Sequence, residues 1–451
     1  MTSASHAPPD GRVLALVKRF GWNATSFQAL EHGLSHFWVG DDACVAYVDT
    51  GAAWVAAGAP LAEESRLGEV TRAFVQAAGA VGRRACFFAV EERFVAASGC
   101  AAVAIGEQAV WDPAAWPDVV GRNRSLREQL RRARAKGVTV RRAREDGEAA
   151  TPEAPLGRAL RAIAGRWLRS REMAPLGFLV QVQPLTLLIQ HRIYVAERGG
   201  APVAFLLSAP IYARDGWLLQ HLLRVPEAPN GVSELLIDAA MRDAHAEGRR
   251  FVTLGLTPLA GEVPGALRAA RVVGRGLYDF AGLRAFRAKL SPGGWLPQFL
   301  CFPPEQGAAR AVRDTLAAFA RGSLTRFALE TLARGPRVVV WLLALLLIPW
   351  TALLAAAPAR WFPAPWVQAA WVAFDVALAA AMFSLARRWR AGLANLLIGA
   401  TAVDALLTTV EVGAWNAPRG LTFFEAGVAL VACLAPALAC AALLRARRRR
   451  A

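Results

Sequence analysis

Asn230 and Gly231 lie between an apolar run and a helical pattern, a position where backbone N–H groups can hold an anion. Residues 217–225 (WLLQHLLRV) have the length of a buried strand and no helical spacing of polar residues. Pro226, Pro229, Asn230 and Gly231 break that run into a loop. Val232, Leu235, Leu236, Ala239 and Ala240 then recur at helical spacing up to Gly248, and residues 251–254 read as a second strand. A helix entered from an open Gly-containing loop leaves its first N–H groups free, and these attract phosphate. A second cationic feature lies upstream. Arg124, Arg127, Arg131 and Arg134 step by three or four and so share one helix face, with Leu126 and Leu130 on the other side. With few acidic residues nearby, the stripe reads as a phosphate contact rather than a plain solvated surface. Aromatic residues are missing from it, which favours contact with a nucleic-acid backbone over base stacking.

These features must be carried by a chain of several domains. Its 451 residues fit two to four domains, and 55% hydrophobic content with mean hydropathy +0.31 is high for a wholly soluble protein. The net charge of +17 asks for an anionic partner, nucleic acid or anionic lipid, although part of the arginine bias is a matter of genomic composition. The six cysteines show no metal-ligand spacing, so no metal site and a reducing compartment are expected. The first twenty residues have no apolar core of the signal-peptide kind.

Residues 1–145 alternate β-rich and helical patterns. HFWVG, ACVAYVD and AAWVAAG read as an antiparallel meander, residues 66–80 as a helix and ACFFAVEERF as a further strand. Residues 146–304 repeat the theme, with a helix over 156–171 and strands over 192–197, 202–210 and 217–225. A Pro-Leu-Ala step near Gly58 and another near Gly255 hint at internal duplication. Residues 305–334 are amphipathic and fit either a helix on a membrane face or a domain-packing helix. From 335 to 451 four spans are expected near 337–358, 365–386, 392–414 and 421–444. Arg334, Arg337, Arg387, Arg388, Arg390 and the RARRRR tail flank one side, Arg360 and Arg419 the other. The positive-inside rule then puts the soluble part and the C-terminus in the cytoplasm, on a multi-pass inner membrane protein. Asp375 and Asp404 fall deep within the spans, where charges face the bundle interior.

Several blocks resemble the C-terminal catalytic domain of the phosphatidylglycerol lysyltransferase family, of the multiple peptide resistance type. They are FGWNATSFQAL, NRSLREQLRRARAKG, RWLRSRE with LGF, RVPEAPNGVSELLIDAAM with LGLTPLAG, and LYDFAGLRAFRAKLSP. Together they cover residues 15–300. The resemblance implies an α/β chain of two tandem acetyltransferase-type (GNAT-like) folds, here followed by a C-terminal transmembrane bundle. It also implies an enzyme that moves an amino acid from aminoacyl-tRNA to a hydroxyl of phosphatidylglycerol, an anionic phospholipid, in a setting of antimicrobial peptide resistance.

By the same resemblance Arg224 matches the arginine of an Asp-x-x-Arg element and Lys289 a late lysine, and both are candidate catalytic residues. His221 stands where the family has the Asp. A histidine can serve as a general base, but it offers no permanent anion to a substrate amine, so lysine as the transferred amino acid is in question. Trp167, Glu172, Asn230, Gly231 and Glu234 fall in the matching blocks as substrate-binding candidates, and His36, beside an aromatic pair, reads as packed. The loop at 226–231 has less glycine than a pyrophosphate cradle, so no cofactor is expected. Two other functions stay open: an N- or O-acyltransferase using an acyl thioester, and a non-catalytic membrane scaffold.

Overall fold

A computed structural model describes residues 11–143, 154–171, 173–183, 185, 189–274 and 278–448. It contains two compact units, residues 1–170, 175–273 and 279–327 in the first and 171–174, 274–278 and 328–451 in the second.

The first unit opens with α1 (Gly11–Phe20), β1 (Ser35–Val39), β2 (Ala43–Asp49), β3 (Ala53–Ala57), α2 (Leu67–Ala80) and β4 (Arg84–Val90). α3 (Glu92–Ser98), β5 (Ala101–Trp111), α4 (Trp116–Arg122), α5 (Arg124–Ala135) and β6 (Val138–Arg142) follow. Next come α6 (Pro155–Arg169), β7 (Arg192–Arg198), β8 (Ala201–Ile211), β9 (Gly216–Arg224), α7 (Val232–Ala246) and β10 (Phe251–Pro258). α8 (Gly265–Val273), α9 (Phe280–Ala288), β11 (Gly294–Phe302) and α10 (Ala308–Phe319) complete the series, and α11 (Leu324–Arg334) runs on from the first unit into the second.

Among the described residues eleven strands join one sheet in the order β1-β2-β3-β4-β11-β5-β10-β9-β8-β7-β6. Within it the same unit occurs twice. An antiparallel meander (β1-β2-β3, then β7-β8-β9) feeds a crossover helix (α2, then α7) that returns to a strand parallel to the last one (β4, then β10). This is the expected tandem acetyltransferase-type architecture. The Pro-Leu-Ala steps do not mark it. Pro60–Ala62 follows β3, ahead of the crossover, whereas Pro258–Ala260 ends β10, behind it. The two halves also exchange their last strands: β11 pairs with β4, and β5 pairs with β10. β5 and β11 lie against each other from Gly294 opposite Val110 to Phe302 opposite Ala101.

Helices cover both faces. α2 and α3 bury Phe74 and Phe94 on one side of the first half. In the second half α5 and α7 cover one face through Leu126, Leu130, Leu235 and Leu236, and α6 covers the other through Leu160 and Ile163. The expected strand ACFFAVEERF stops at Val90. Ala89 takes a left-handed φ of 57°, which turns the chain into α3 and lets Phe94 stack against Phe87 at 5.1 Å. α10 is a packing helix, since Val312 and Phe319 pack on the core. Arg84 on β4 grips its buried Asp314 with two hydrogen bonds of 2.7 Å.

Among the described residues the second unit holds four long helices, α12 (Pro336–Ala355), α13 (Pro365–Arg387), α14 (Ala391–Glu411) and α15 (Phe423–Arg448). Each contains a stretch long and apolar enough to cross a bilayer. Asp375 and Asp404 are buried in this bundle, and Asp404 accepts a hydrogen bond from Thr408 at 3.1 Å. Glu425 accepts from Arg360 at 2.6 Å and from Trp361 at 2.9 Å. In a bilayer such groups need partners; Thr408 supplies one from within α14, and the Glu425 contacts tie α15 to the connector between α12 and α13.

Candidate functional site

β9 and β10 begin as neighbours and then part. They pair only from Phe251 opposite Gly216 to Thr253 opposite Leu218. Residues 219–224 of β9 continue beside β8 alone, and β10 continues beside β5. Two irregularities drive the strands apart. Gln220 is an extra residue in β9, bulged between the Leu219–Ser208 and His221–Leu207 pairs. Gly255, at φ 72°, marks a register shift in β10. Arg287 of α9 keeps this stretch of β10 satisfied without β9. Its guanidinium donates to the carbonyls of Leu254 at 2.6 Å and Gly255 at 2.7 Å, and to the Thr257 hydroxyl at 2.5 Å. The result is a wedge-shaped opening in the sheet, next to backbone groups of β9 that lack a β10 partner.

At the mouth of the wedge, where β9 hands over to α7, lies a cleft of about 350 Å³. Arg224, Pro229, Asn230, Gly231, Val232, Ser233 and Glu234 line it, with Gln129 and Arg132 of α5 and Phe286 of α9 opposite. Arg224 donates to the Ala228 carbonyl at 3.0 Å and so folds the loop back on itself. Gly231 has φ 91°, and a Cβ there would strike the Gln129 carbonyl. Only glycine allows α5 and the start of α7 to approach this closely. Two arginines, a fork of N–H donors each, and the free N–H groups of a 15-residue helix therefore converge on one cleft, a setting for a phosphate or carboxylate.

Of the residues expected from sequence, Arg224, Asn230, Gly231 and Glu234 meet in this cleft. The stripe of α5 does not. Arg124, Arg127, Arg131 and Arg134 are exposed, but Arg131 pairs with Glu128 at 2.9 Å and Arg134 with the buried Asp238 at 3.2 Å. Arg127 donates to the carbonyls of Val120 and Gly121. The residue α5 sends to the cleft is Arg132, one position off the stripe, and its Nε pairs with the same Glu128 at 2.7 Å. Lys289 is exposed at the end of α9, whose Phe286 lines the cleft and whose Arg287 is buried against β10. Trp167 of α6 packs on the core, and Glu172 lies outside the described residues. His36 sets its Nε2 2.8 Å from the Ala29 carbonyl. His221 is buried on β9 beside the bulge, and loss of solvent pushes its imidazole down to about 4, so it is neutral at pH 7. Arg132, Arg287 and the bulge escape sequence reading because strand irregularity and interhelix approach leave no periodic trace.

The family described as "Phosphatidylglycerol lysyltransferase, C-terminal" matches residues 14–302. A phosphatidylglycerol lysyltransferase of Bacillus subtilis (strain 168) is 30% identical over 154 residues, 32% of this chain and 17% of that protein. The match therefore spans under a fifth of that relative's length. Among solved structures, the C-terminal domain of a putative lysylphosphatidylglycerol synthetase from Agrobacterium fabrum aligns with TM-score 0.60 at 22% identity, over 70% of this chain and 98% of that one. L-PGS from Bacillus licheniformis aligns with TM-score 0.58 at 21% identity, over 70% and 99%. Both share the fold of the first unit. With a family match over well more than half its length and four membrane-length helices behind it, this chain is a membrane protein that belongs to the phosphatidylglycerol lysyltransferase C-terminal family of acyl-transferring enzymes.

Proposed function

We propose that the chain moves an amino acid from aminoacyl-tRNA to a hydroxyl of an anionic phospholipid such as phosphatidylglycerol, at the cytoplasmic face of the inner membrane. The observation that carries this reading is the wedge between β9 and β10 with the Arg132–Arg224 cleft at its mouth. A donor with a phosphate at one end and an acyl ester at the other fits it. The phosphate rests on the arginines and the α7 N–H groups, and the ester carbonyl reaches the backbone donors of the bulge.

The lipid hydroxyl oxygen attacks the ester carbon, a new C–O bond forms and the bond to the terminal ribose oxygen breaks. The hydroxyl proton ends on that leaving oxygen, so no net proton is consumed. Backbone N–H groups of β9 stabilise the transient oxyanion, while the arginines hold the donor in place. Arginines flanking one side of the four helices support a cytoplasmic first unit, where tRNA is found.

The test is full-length protein in phosphatidylglycerol vesicles supplied with tRNA charged with radiolabelled amino acids. A labelled lipid is expected. Absence of label with every charged tRNA, together with label from an acyl-coenzyme A, would replace the donor by a thioester.

A further inference from the structure

Among the described residues of the first unit, acids removed from water are paired with arginine. Asp238 has Arg134 and Arg242, Asp314 has Arg84, Glu91 has Arg214, and Glu107 has Arg284. Glu31 departs from that pattern. It is partly buried after the short helical turn Ser26–Leu30, and no cation forms an ion pair with it among the described residues. Its contacts are amides. The Gln220 side chain donates to it from the β9 bulge, and the Gln28 side chain also reaches it. The same Gln220 Nε2 lies 3.4 Å from His221 Nε2. The Gln220 Oε1 is itself buried with no hydrogen-bond donor. A carboxylate without a cation and an amide oxygen without a donor thus stand together at the bulge. Arg224 lies four residues further along β9, about 13 Å at strand rise.

Resting on the aminoacyl-transfer reading, we propose that Glu31 and Gln220 bind the free α-ammonium group of the amino acid being transferred. An ammonium ion has three N–H donors and one positive charge, which answers both open acceptors at once. It also places the ester carbonyl of the same amino acid beside the bulge, with the donor phosphate in the direction of Arg224. The neighbouring titratable groups are histidines. His221 and His191 are buried and held neutral by loss of solvent, His36 faces the Ala29 carbonyl, and His32 follows in the chain. Burial alone pushes the Glu31 carboxyl up to about 7, so an arriving cation drives its ionisation.

Alaninamide and lysinamide, each with a free and an N-acetylated amine, are the probes, titrated calorimetrically into the full-length protein in detergent. The free amides bind at least roughly tenfold more tightly than the acetylated ones, and Glu31→Gln removes the difference. At pH 6 binding of a free amide releases close to one proton, read from buffers of different ionisation enthalpy, and the release fades above pH 7. This proton count in the unmutated protein guards against a variant that misfolds. Equal binding of acetylated amides, or no proton release at pH 6, overturns the assignment. Lipid labelling from N-acetylated aminoacyl-tRNA would overturn it too while leaving the transfer reading intact. Glu31-dependent amide binding without any lipid labelling would do the reverse.

Discussion

The two halves of the sheet share a topology and differ in how they use it. In the first, β3 and β4 stay zipped from Ala53 opposite Arg84 to Ala57 opposite Phe88. In the second, β9 and β10 separate after Leu218. The helix starts differ in charge as well. α2 begins behind Glu63 and Glu64 with Glu69 in its first turn, and Arg66 and Arg93 neutralise part of this. α7 begins between Arg132 and Arg224. A closed parallel pair under an acidic helix start has no room or attraction for an anionic donor. On the proposed reading the duplicated fold keeps its ligand crevice in one copy, and the other serves as a support that contributes Glu31.

The comparison breaks first at Arg224. Arg224→Ala is expected to lower kcat/KM for lipid labelling by roughly 100-fold, because the loop loses its tether and the donor loses a phosphate contact. Asp314→Ala in the support should behave oppositely. Loss of the buried partner of Arg84 costs about 2–3 kcal/mol in denaturant unfolding, with labelling per folded molecule unchanged. Gly231→Ala combines a strained φ with a collision against the Gln129 carbonyl and is expected to cost about 2 kcal/mol, with a raised KM for the donor.

Smaller effects come from pH. His221, with an ordinary value of 6.5, folds with a pKa of about 4, so the unfolded chain binds more protons between those values. The stability it contributes is present above pH 6.5 and is lost as pH falls through 4. Glu31 is raised from 4.5 to about 7, so its contribution is present below 4.5 and is lost as pH rises through 7. Thermal unfolding from pH 4 to 8 should show His221→Gln flattening the acid limb and Glu31→Gln the alkaline limb. The smallest change belongs to Glu69→Ala, an exposed ion pair on the closed half, with labelling within about twofold and stability within about 0.5 kcal/mol of the parent.

What could be read from the sequence was whatever rests on local periodicity. The strand 217–225, the helix after Gly231, the α5 helix and the four apolar spans lie within a few residues of their places. The loop glycine was legible as well, since Asn-Gly before a helix has a backbone reason of its own. What escaped depends on residues far apart in the chain. Glu31 reaches the bulge from 189 positions away, and Arg287 holds β10 open from 33 positions beyond Leu254. For the arginine stripe, spacing gives a face but not its neighbours, and Asp238, 104 positions on from Arg134, pairs with the far end of it. Lys289 drew notice while Arg287, two residues earlier, is the one buried against β10.

The exchange of β5 and β11 has a consequence for how the molecule is made. Strand β4 remains an open edge until Phe302 has been synthesised, because its partner on that side is the last strand of the sheet. Neither half can mature as a separate nascent domain, and the exposed edge of β4 must be shielded from wrong pairing for some two hundred residues of synthesis. The sheet closes only a short stretch of chain before the first apolar helix is made, so translation joins the completion of the soluble fold to the moment the chain seeks a membrane.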